Sequence, residues 1–354
     1  MSPLDHIIRT EIAQTGPLSV LDYMTLCLSH PEHGYYRRQE AIGRAGDFIT
    51  APEISQIFGE LIGLWAGTVA TLLAEDLPIR LIEIGPGRGT LMSDALRALR
   101  VVPGLIDRLR VHLVEPSPAL TAIQERTLAG APGLPQWHPD LAGVPAGPSV
   151  VVANEVLDAL PLRQLVARSG CWHERLVVLG RDGDLAFGIS DVPSAAPPVA
   201  DAPDDSILEL RPGVDDLVAA IAARGRAYPC AALFVDYGHT ATRRGDTLQA
   251  VRRHRTADPL RDAGDTDLSA QVDFEALARS AISHGLEADG PVPQAVFMGA
   301  LGVVERAQRL MLSAPTRAAD IEAGALRLID PAGMGSRFKV LGLRSKGLGR
   351  LPGL

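Results

Sequence analysis

The central part of the chain repeats one pattern, in which short apolar runs alternate with segments of helical periodicity. Apolar runs of this length, separated by helices, are typical of a parallel sheet that is covered on both faces. Because crossovers between parallel strands are right-handed, the pattern predicts an α/β fold with a doubly wound, Rossmann-like and mostly parallel sheet. The predicted strands are Arg80–Ile84, Arg110–Val114 and Ser149–Ala153, and the predicted helices between them are Thr90–Arg100 and Pro118–Leu128.

The chain before this segment follows a different pattern, which indicates a division into two parts. Residues 1–75 are predicted to be a helical N-terminal region that covers the ligand-binding edge of the sheet, with one polar interruption that contains glycine. Its last helix is predicted to begin at Thr50 or Ala51, because Pro52 suits the first turn of a helix, and to run to about Ala74. Residues 76–354 form the second part, which carries an insertion at about residues 162–206.

The insertion is predicted to be an antiparallel meander, because Ser-Gly and Asp-Gly turns separate its strand-like runs. A segment rich in Pro, Ala and Asp, Asp191–Ser206, is predicted to follow as a surface loop. The three predicted strands of the meander are Leu162–Ala167, Cys171–Leu179 and Leu185–Ile189. A predicted helix, Val214–Arg224, and a predicted strand, Ala231–Val235, come next, followed by a polar stretch at residues 240–272. The remaining predicted elements are helices near 273–284, 294–311 and 316–327 and a last strand, Arg337–Leu343.

Composition and charge exclude several classes of function. The chain has 354 residues with 34 basic and 42 acidic side chains, a net charge of −8 that argues against a nucleic-acid partner. The uncharged stretch that most suggests a membrane span, Leu61–Ala74, is too short to cross a bilayer and predicts a buried helix, so we expect no membrane insertion. Three widely spaced cysteines, and an N-terminus without the pattern of a signal or transit peptide, lead us to expect a cytoplasmic protein.

The first predicted strand ends in an acid and leads into a glycine turn, since Glu83 is followed by Gly85, Gly87 and Gly89 and then by a helix. Glycines at such a turn let the backbone bend tightly and let a ligand approach the helix N-terminus closely. The next strand also ends in an acid, Glu115. This order of strand, acid, glycine turn, helix, strand and acid is similar to the layout of S-adenosylmethionine-dependent methyltransferases. Dinucleotide binding and a purely structural turn are the alternatives.

The methyltransferase layout assigns each of these residues a contact with S-adenosylmethionine. Glu83 would orient the amino group of the methionine part, and the three glycines would line the carboxypropyl group and the sugar. Glu115 would bind the ribose hydroxyls. Asp140, after the next short strand, could reach the amino group of the adenine.

A second polar cluster, formed by Asn154, Glu155 and Asp158, follows the strand Ser149–Ala153. Ligands of open α/β sheets bind at the carboxyl ends of the strands, so this cluster is expected at the same site. It lacks the Asn/Asp-Pro-Pro-aromatic motif of methyltransferases that act on the amines of nucleic acids, and its carboxylates suit a cationic acceptor better. The alternative is that Glu155 and Asp158 cap a helix.

Other polar groups are weaker candidates. Asp47, Thr50 and Glu53 belong to a polar loop, and Asp236–His239 ends another predicted strand at the ligand edge. We interpret the basic cluster Arg252–Arg255 as a solvated face. No spacing of His or Cys supports a metal site, so none is predicted. The chain has neither the Gly-x-Ser-x-Gly elbow of hydrolases nor the Walker loop of nucleoside triphosphatases.

Taken together, these motifs resemble those of the MidA and mitochondrial complex I assembly factor family of S-adenosylmethionine-dependent methyltransferases. The resemblance extends from about residue 20 to 345 and is far more specific than the glycine turn alone. The segments that carry it are His33–Tyr36, Gly46–Ser55, Phe58–Glu60, Glu83–Leu91, Glu115–Ser117, Ala153–Pro161, Asp236–Gly238 and Gln271–Phe274.

The resemblance implies a protein-arginine N-methyltransferase that acts on a respiratory complex I subunit or a similar protein. In the mitochondrial members the acceptor is an arginine on a hydrophilic subunit at the quinone site, and symmetric dimethylation accompanies assembly. One departure concerns Val156, which stands where the family pattern leads us to expect an aromatic residue.

We predict that catalysis depends on Glu155 and Asp158, with Asn154 beside them and Glu53 as an outlying candidate. Two alternatives stay open at this point. One is a methyltransferase of the same fold that acts on a small molecule or on lysine. The other is a non-catalytic assembly chaperone that keeps the S-adenosylmethionine pocket as a scaffold. A homodimer is also left open.

Overall fold

The computed structural model describes residues 2–37, 49–73, 77–132, 134–195 and 202–354. Its N-terminal part is mainly helical, as predicted. The first helix begins with a capping box, in which the Ser2 hydroxyl accepts a hydrogen bond from the Asp5 amide and the Asp5 carboxylate accepts one from the Ser2 amide. In chain order the elements are α1 (Pro3–Thr15), β1 (Leu18–Ser19), α2 (Val20–Ser29), α3 (Ala51–Ile54) and α4 (Gln56–Leu73).

The centre of the molecule is a mixed, mostly parallel sheet of eight strands, with apolar cores on both of its faces. Its first half comprises β2 (Ile79–Ile84), α5 (Thr90–Leu99), α6 (Leu105–Arg108), β3 (Leu109–Val114), α7 (Pro118–Thr127), β4 (Gln136–His138) and β5 (Ser149–Asn154). Strands β4, β3, β2 and β5 lie side by side and run parallel, so their carboxyl ends meet at one edge. The predicted α/β fold is confirmed.

The insertion is an antiparallel sheet, as predicted, but it is larger than the sequence indicated. Its strands are β6 (Arg163–Arg168), β7 (Cys171–Leu179), β8 (Leu185–Pro193) and β9 (Ile207–Leu210). The predicted loop Asp191–Ser206 is wrong at its start, because β8 pairs with β7 through Pro193. Strand β9 was not predicted and pairs with β6, while β1 of the N-terminal region pairs with β7.

The rest of the chain completes the main sheet and adds a small one. The elements are α8 (Pro212–Ala227), β10 (Cys230–His239), β11 (Gln249–Arg252), β12 (Arg255–Ala257), β13 (Asp267–Ser269), β14 (Val272–Asp273), α9 (Phe274–Ser283), β15 (Glu287–Pro293), α10 (Gln294–Ala300), α11 (Val303–Ser313), α12 (Ala318–Ile329), α13 (Met334–Arg337) and β16 (Phe338–Arg344). Strand β10 runs parallel to β5. Strand β16 is antiparallel to both β10 and β15.

Two predictions for this part of the chain need correction. The polar stretch at residues 240–272 contains a three-stranded sheet in the order β12-β11-β13, and the basic cluster Arg252–Arg255 forms the turn between β11 and β12. The single helix predicted at 294–311 is two helices, α10 and α11. They are separated because Gly302 adopts a left-handed conformation with φ +84°.

The helix predicted from Thr50 or Ala51 to about Ala74 is also two helices. Helix α3 begins at Ala51 as expected, but Ser55 is extended (φ −154°, ψ 129°), so a new helix begins at Gln56. The predicted end at Ala74 lies outside the described residues. By length and composition α4 is apolar enough to cross a membrane, yet 72% of it is buried inside the fold, as expected of a core helix.

The N-terminal helices contact different parts of the molecule. Leu4 and Ile8 of α1 and Met24 of α2 share one apolar cluster with residues of the insertion and of the small sheet. Helix α4 belongs instead to the core on one face of the main sheet. The N-terminal region therefore connects the insertion to the main sheet. The division at residue 75 stays a prediction.

Helices α4 and α5 pack at very short distance through glycines. A Cβ atom on Gly63 would lie 2.5 Å from Cα of Ala95, and one on Gly59 would lie 2.7 Å from Cβ of Asp94. Glu60, on the same helix, is buried and accepts hydrogen bonds from Arg97 at 3.0 Å and Arg306 at 2.7 Å. Close packing and a buried ion-pair network thus fix α5, the helix that begins at the glycine turn.

We expect Gly63→Ala to destabilise the fold by about 1–3 kcal/mol, because the added methyl group overlaps the backbone of α5. The measurement is the free energy of unfolding from urea titration. Gly299→Ala is the matched control, since Gly299 also lies in a helix but a Cβ atom there has no neighbour within 4 Å. The control should be neutral or gain up to about 1 kcal/mol from helix propensity. Equal effects of the two variants would contradict the packing argument.

Candidate active site

A cavity of about 350 Å³ lies at the carboxyl ends of β2, β3 and β5. The N-terminal region closes one side of it with Leu28, Tyr36 and helix α3. Most residues that the sequence singled out for this site are brought together here. Those that line the cavity are Thr50, Glu53, Glu83, Gly85, Gly87, Glu115, Asn154 and Glu155.

The glycine turn after β2 needs glycine for conformational reasons. Gly85, Gly87 and Gly89 have φ angles of +62°, +54° and +80°, which side chains strongly disfavour. A Cβ atom on Gly85 would also lie 2.7 Å from Cγ2 of Val156. Gly89 does not line the cavity; it caps α5 in the left-handed conformation. Val156, where an aromatic residue was expected, therefore packs against the glycine turn.

Glu83 and Asn154 present hydrogen-bond acceptors that have no partner among the residues that the structure describes. Oε2 of Glu83 and Oδ1 of Asn154 are both buried and make no hydrogen bond. Burial raises the pKa of Glu83 to about 8, although a hydrogen bond from the Met92 amide opposes this change. Buried acceptors without partners are costly, so both atoms favour a ligand that brings hydrogen-bond donors.

Glu115 is held at the end of β3 by neutral donors. Its carboxylate accepts hydrogen bonds from the Ser117 amide at 2.8 Å and from Nε2 of Gln124 at 3.0 Å. Gln124 is fully buried; it also donates to the Gly87 carbonyl at 2.9 Å and accepts from the Trp137 indole at 2.9 Å. Gln124 thus connects the glycine turn to the end of β3. Sequence reasoning missed it, because a single glutamine within an amphipathic helix carries no motif.

Glu155 follows β5 in a left-handed conformation, with φ +53°. Its Oε1 accepts hydrogen bonds from the Ala51 amide at 2.8 Å and from Nδ2 of Asn154 at 3.0 Å. Burial raises the pKa of Glu155 to about 7; the Ala51 amide lowers it and the nearby Asp158 raises it further. The described residues 155–162, between β5 and β6, contain no helix, so the proposed cap of a helix after β5 is wrong as stated. The amide that Glu155 accepts from is at the start of α3, far away in the sequence.

Asp158 and Asp140 lie apart from the residues that line the cavity. Asp158 is half-buried, with Arg211 and Tyr237 as its main neighbours, and desolvation raises its pKa to about 6. Asp140 is exposed and accepts a hydrogen bond from the Gly143 amide at 2.9 Å, which caps a short 3₁₀ turn. Of the polar loop predicted before α3, Asp47 lies outside the described residues. Glu53 lines the cavity and accepts a hydrogen bond from the Thr90 hydroxyl at the start of α5.

Comparison with known proteins identifies the family. Residues 61–292 match the family model described as "Putative S-adenosyl-L-methionine-dependent methyltransferase". The chain is similar to the mitochondrial protein arginine methyltransferase NDUFAF7 homolog of Drosophila melanogaster, at 36% identity over 95% of this chain and 83% of that protein. The human protein arginine methyltransferase NDUFAF7 is 33% identical over 97% of this chain and 83% of its own length.

A solved structure agrees with these relatives. The crystal structure of a protein from Burkholderia thailandensis bound to S-adenosyl-homocysteine superposes on this chain with a TM-score of 0.88 at 28% identity. The match covers 99% of this chain and 93% of the Burkholderia protein. The chain belongs to this methyltransferase family. The family predicted from the motifs is therefore confirmed, and the methyltransferase uses S-adenosylmethionine as its cofactor.

We expect Gln124→Leu to weaken the binding of S-adenosylmethionine to the methyltransferase by roughly tenfold, because Glu115 and the Gly87 carbonyl each lose a hydrogen bond and the Trp137 indole is left without an acceptor. Calorimetric titration measures this change. Gln294→Leu is the matched control, since Gln294 is equally buried and donates to the Leu328 carbonyl away from the cavity. The interpretation fails if both variants bind the cofactor with wild-type affinity.

Proposed function

We propose that this methyltransferase transfers the methyl group of S-adenosylmethionine to the guanidinium of an arginine in a protein, and that it works in the cytoplasm. Its acceptor would be a hydrophilic subunit of respiratory complex I or a similar protein. The observation that carries the proposal is the half-buried Glu155 carboxylate, which lines the cavity beside Asn154 and accepts hydrogen bonds from two amides. The proposal is also supported by the names of two relatives, both protein arginine methyltransferases, which are 36% and 33% identical to this chain.

The residues at the end of β2 fit the methionine part of the cofactor. The unpartnered acceptors of Glu83 and Asn154 suit an ammonium group, which has three donors and no acceptor. The backbone of Gly85 and Gly87 would lie along the ligand, and Glu115 would accept hydrogen bonds from the ribose. When bound, S-adenosylmethionine supplies an activated methyl group on a sulfonium. Asp140 is too exposed to be assigned a role in this proposal.

An arginine acceptor creates an electrostatic problem that the carboxylates solve. The guanidinium stays protonated, with a pKa above about 12, and must approach a positive sulfonium. Two unit charges about 4 Å apart repel by roughly 4 kcal/mol at an effective dielectric constant of 20. Glu155 would offset this repulsion and orient the guanidinium through hydrogen bonds, and Glu53 lines the same cavity. Asp158 does not line the cavity; its carboxylate would add negative charge near the guanidinium, and that charge also raises the pKa of Glu155.

The pH dependence of cofactor binding tests the role of Glu83. The pKa of Glu83 is raised to about 8 without ligand, so at pH 7 the group is mostly protonated. An ammonium group favours the carboxylate, so binding should lower this pKa and release up to about one proton. The binding enthalpy at pH 7 should then vary with the ionisation enthalpy of the buffer.

Glu83→Gln is the control for this measurement. The amine of S-adenosylmethionine titrates near pH 8 and contributes equally to both proteins. We therefore expect the difference in proton release to come from Glu83 alone, with weaker binding in the variant. Equal proton release by the wild type and the variant would show that Glu83 does not bind the amino group.

For the acceptor, we expect Glu155→Gln to lower turnover at least about a hundredfold, equivalent to about 2.7 kcal/mol or more. The affinity for S-adenosylmethionine should change only a few-fold. The amide oxygen can still accept from Ala51 and Asn154, so the loop keeps its shape but loses its charge. Steady-state kinetics and calorimetry measure the two quantities. Full activity in Glu155→Gln combined with Asp158→Asn would return these acids to a structural role.

Mass spectrometry of candidate subunits from a strain that lacks the gene tests the proposed function. A methyl-arginine that is present in the wild type and missing in the deletion strain, restored by the wild-type gene but not by Glu155→Gln, is the expected result. Methyl-lysine as the product would contradict the arginine assignment, because an acidic site stabilises the ammonium form of lysine and hinders its attack. Unchanged methylation together with failed assembly would support a chaperone instead.

A further inference from the structure

We propose that Asp236 is a positioning residue for methyl transfer, which holds the loop after β5 so that Glu155 faces the acceptor. The inference rests on the proposed role of Glu155. Asp236 lies at the end of β10, the strand next to β5, and is buried. It does not line the cavity, so it would act through the loop and not by contact with substrate.

The hydrogen bonds of Asp236 converge on three successive residues. Its Oδ2 accepts from the amides of Val156 at 3.2 Å, Leu157 at 2.9 Å and Asp158 at 3.2 Å. Its Oδ1 accepts from the Tyr237 amide at 2.9 Å, which fixes the carboxylate itself. Three consecutive amides can point at one oxygen only if the chain turns around it. The side chain of Asp236 therefore defines the path of the loop.

The backbone conformation of this loop is unfavourable without the contacts that hold it. Glu155 has a positive φ, which is uncommon for a residue with a side chain and persists only where the surroundings enforce it. The residue just before the three amides is Glu155, so their capture by Asp236 fixes the backbone from which its side chain projects. In this conformation the Glu155 carboxylate reaches the Ala51 amide.

The carbonyl groups of the same loop are held by a cation. Arg211 donates to the carbonyls of Leu160 at 3.0 Å and Asp158 at 3.5 Å, and also to those of Ala270 and Gln271. The loop is thus held from its amide side by a carboxylate and from its carbonyl side by a guanidinium. Asp236 and Arg211 together would leave Glu155 little freedom to follow the acceptor, and would preorganise it instead.

Kinetics of three variants test the proposal. We expect Asp236→Ala to lower kcat/KM for the acceptor at least thirtyfold while the affinity for S-adenosylmethionine changes less than fivefold. Asp236→Asn should recover at least a third of that loss on a logarithmic scale, because its side-chain carbonyl can still accept the three amides. Arg211→Lys should also lower kcat/KM for the acceptor, since one ammonium cannot bind all four carbonyls.

Asp289→Ala is the matched control. Asp289 is another buried carboxylate of the main sheet; it accepts hydrogen bonds from Arg344 and from the Leu351 amide, away from the cavity. Its loss should lower stability and leave the acceptor kcat/KM of the folded enzyme within threefold of the wild type. The same thirtyfold loss in Asp289→Ala, or wild-type kcat/KM in Asp236→Ala, would overturn the proposal.

Hydrogen exchange keeps this test separate from the proposed function. In protein without substrate, Asp236→Ala should make the amides of Val156, Leu157 and Asp158 exchange at least tenfold faster, while those of β2 stay protected. Unchanged exchange at these three amides would overturn the positioning role, whatever the acceptor is. If the wild type methylates no arginine, the proposed function fails even when exchange changes as expected.

Discussion

Backbone and side-chain amides donate hydrogen bonds to three carboxylates at the active edge of the sheet, within the part of the chain that the structure describes. Glu115 accepts from a backbone amide and a glutamine, and Glu155 from a backbone amide and an asparagine. Asp236 accepts from four backbone amides. Neutral donors fix the direction of a carboxylate without adding an opposite charge beside it, and burial raises the pKa of Glu155 to about 7. Away from this edge the pattern is different, since Glu60 forms ion pairs with two arginines, which hold helices of the fold together.

This constraint explains why the site needs more than the main sheet. The amide that meets Glu155 comes from Ala51 at the start of α3, and the Ser117 hydroxyl donates to the Tyr36 carbonyl. The N-terminal region therefore supplies both a hydrogen-bond donor and part of the cavity wall. That region is held by the insertion, because α1 and α2 share one apolar core with it and β1 pairs with β7. The insertion thus supports the active site, and its described residues do not line the cavity.

The sequence predicted well those features that depend on local pattern. Strands such as β2 and β5 are buried on both faces, so they appear as continuous apolar runs, and the glycines after β2 mark a turn that side chains would prevent. The small sheet of β11, β12 and β13 was missed, because its strands are only three or four residues long and contain polar residues, so none has such a run. The break at Ser55 was missed as well, because serine is compatible with both helix and extended backbone.

The candidate site shows the same division. Glu83, Glu115, Asn154 and Glu155 were found because each ends a strand of one parallel sheet, and topology brings such positions together. Their partners could not be predicted, since Gln124, Ala51 and Asp236 meet them only through long-range packing. Asp158 was placed in the acceptor site because it is close to Glu155 in sequence, but it does not line the cavity and its amide binds Asp236.

The most direct test of this account is a crystal structure of the enzyme with S-adenosyl-homocysteine and an arginine peptide. The account predicts a guanidinium within hydrogen-bonding distance of the Glu155 carboxylate, about 3 Å, with one nitrogen directed at the sulfur. The ammonium of the ligand should lie against Glu83. A guanidinium bound elsewhere, with Glu155 still contacting only Ala51 and Asn154, would contradict the central claim that this carboxylate receives the acceptor.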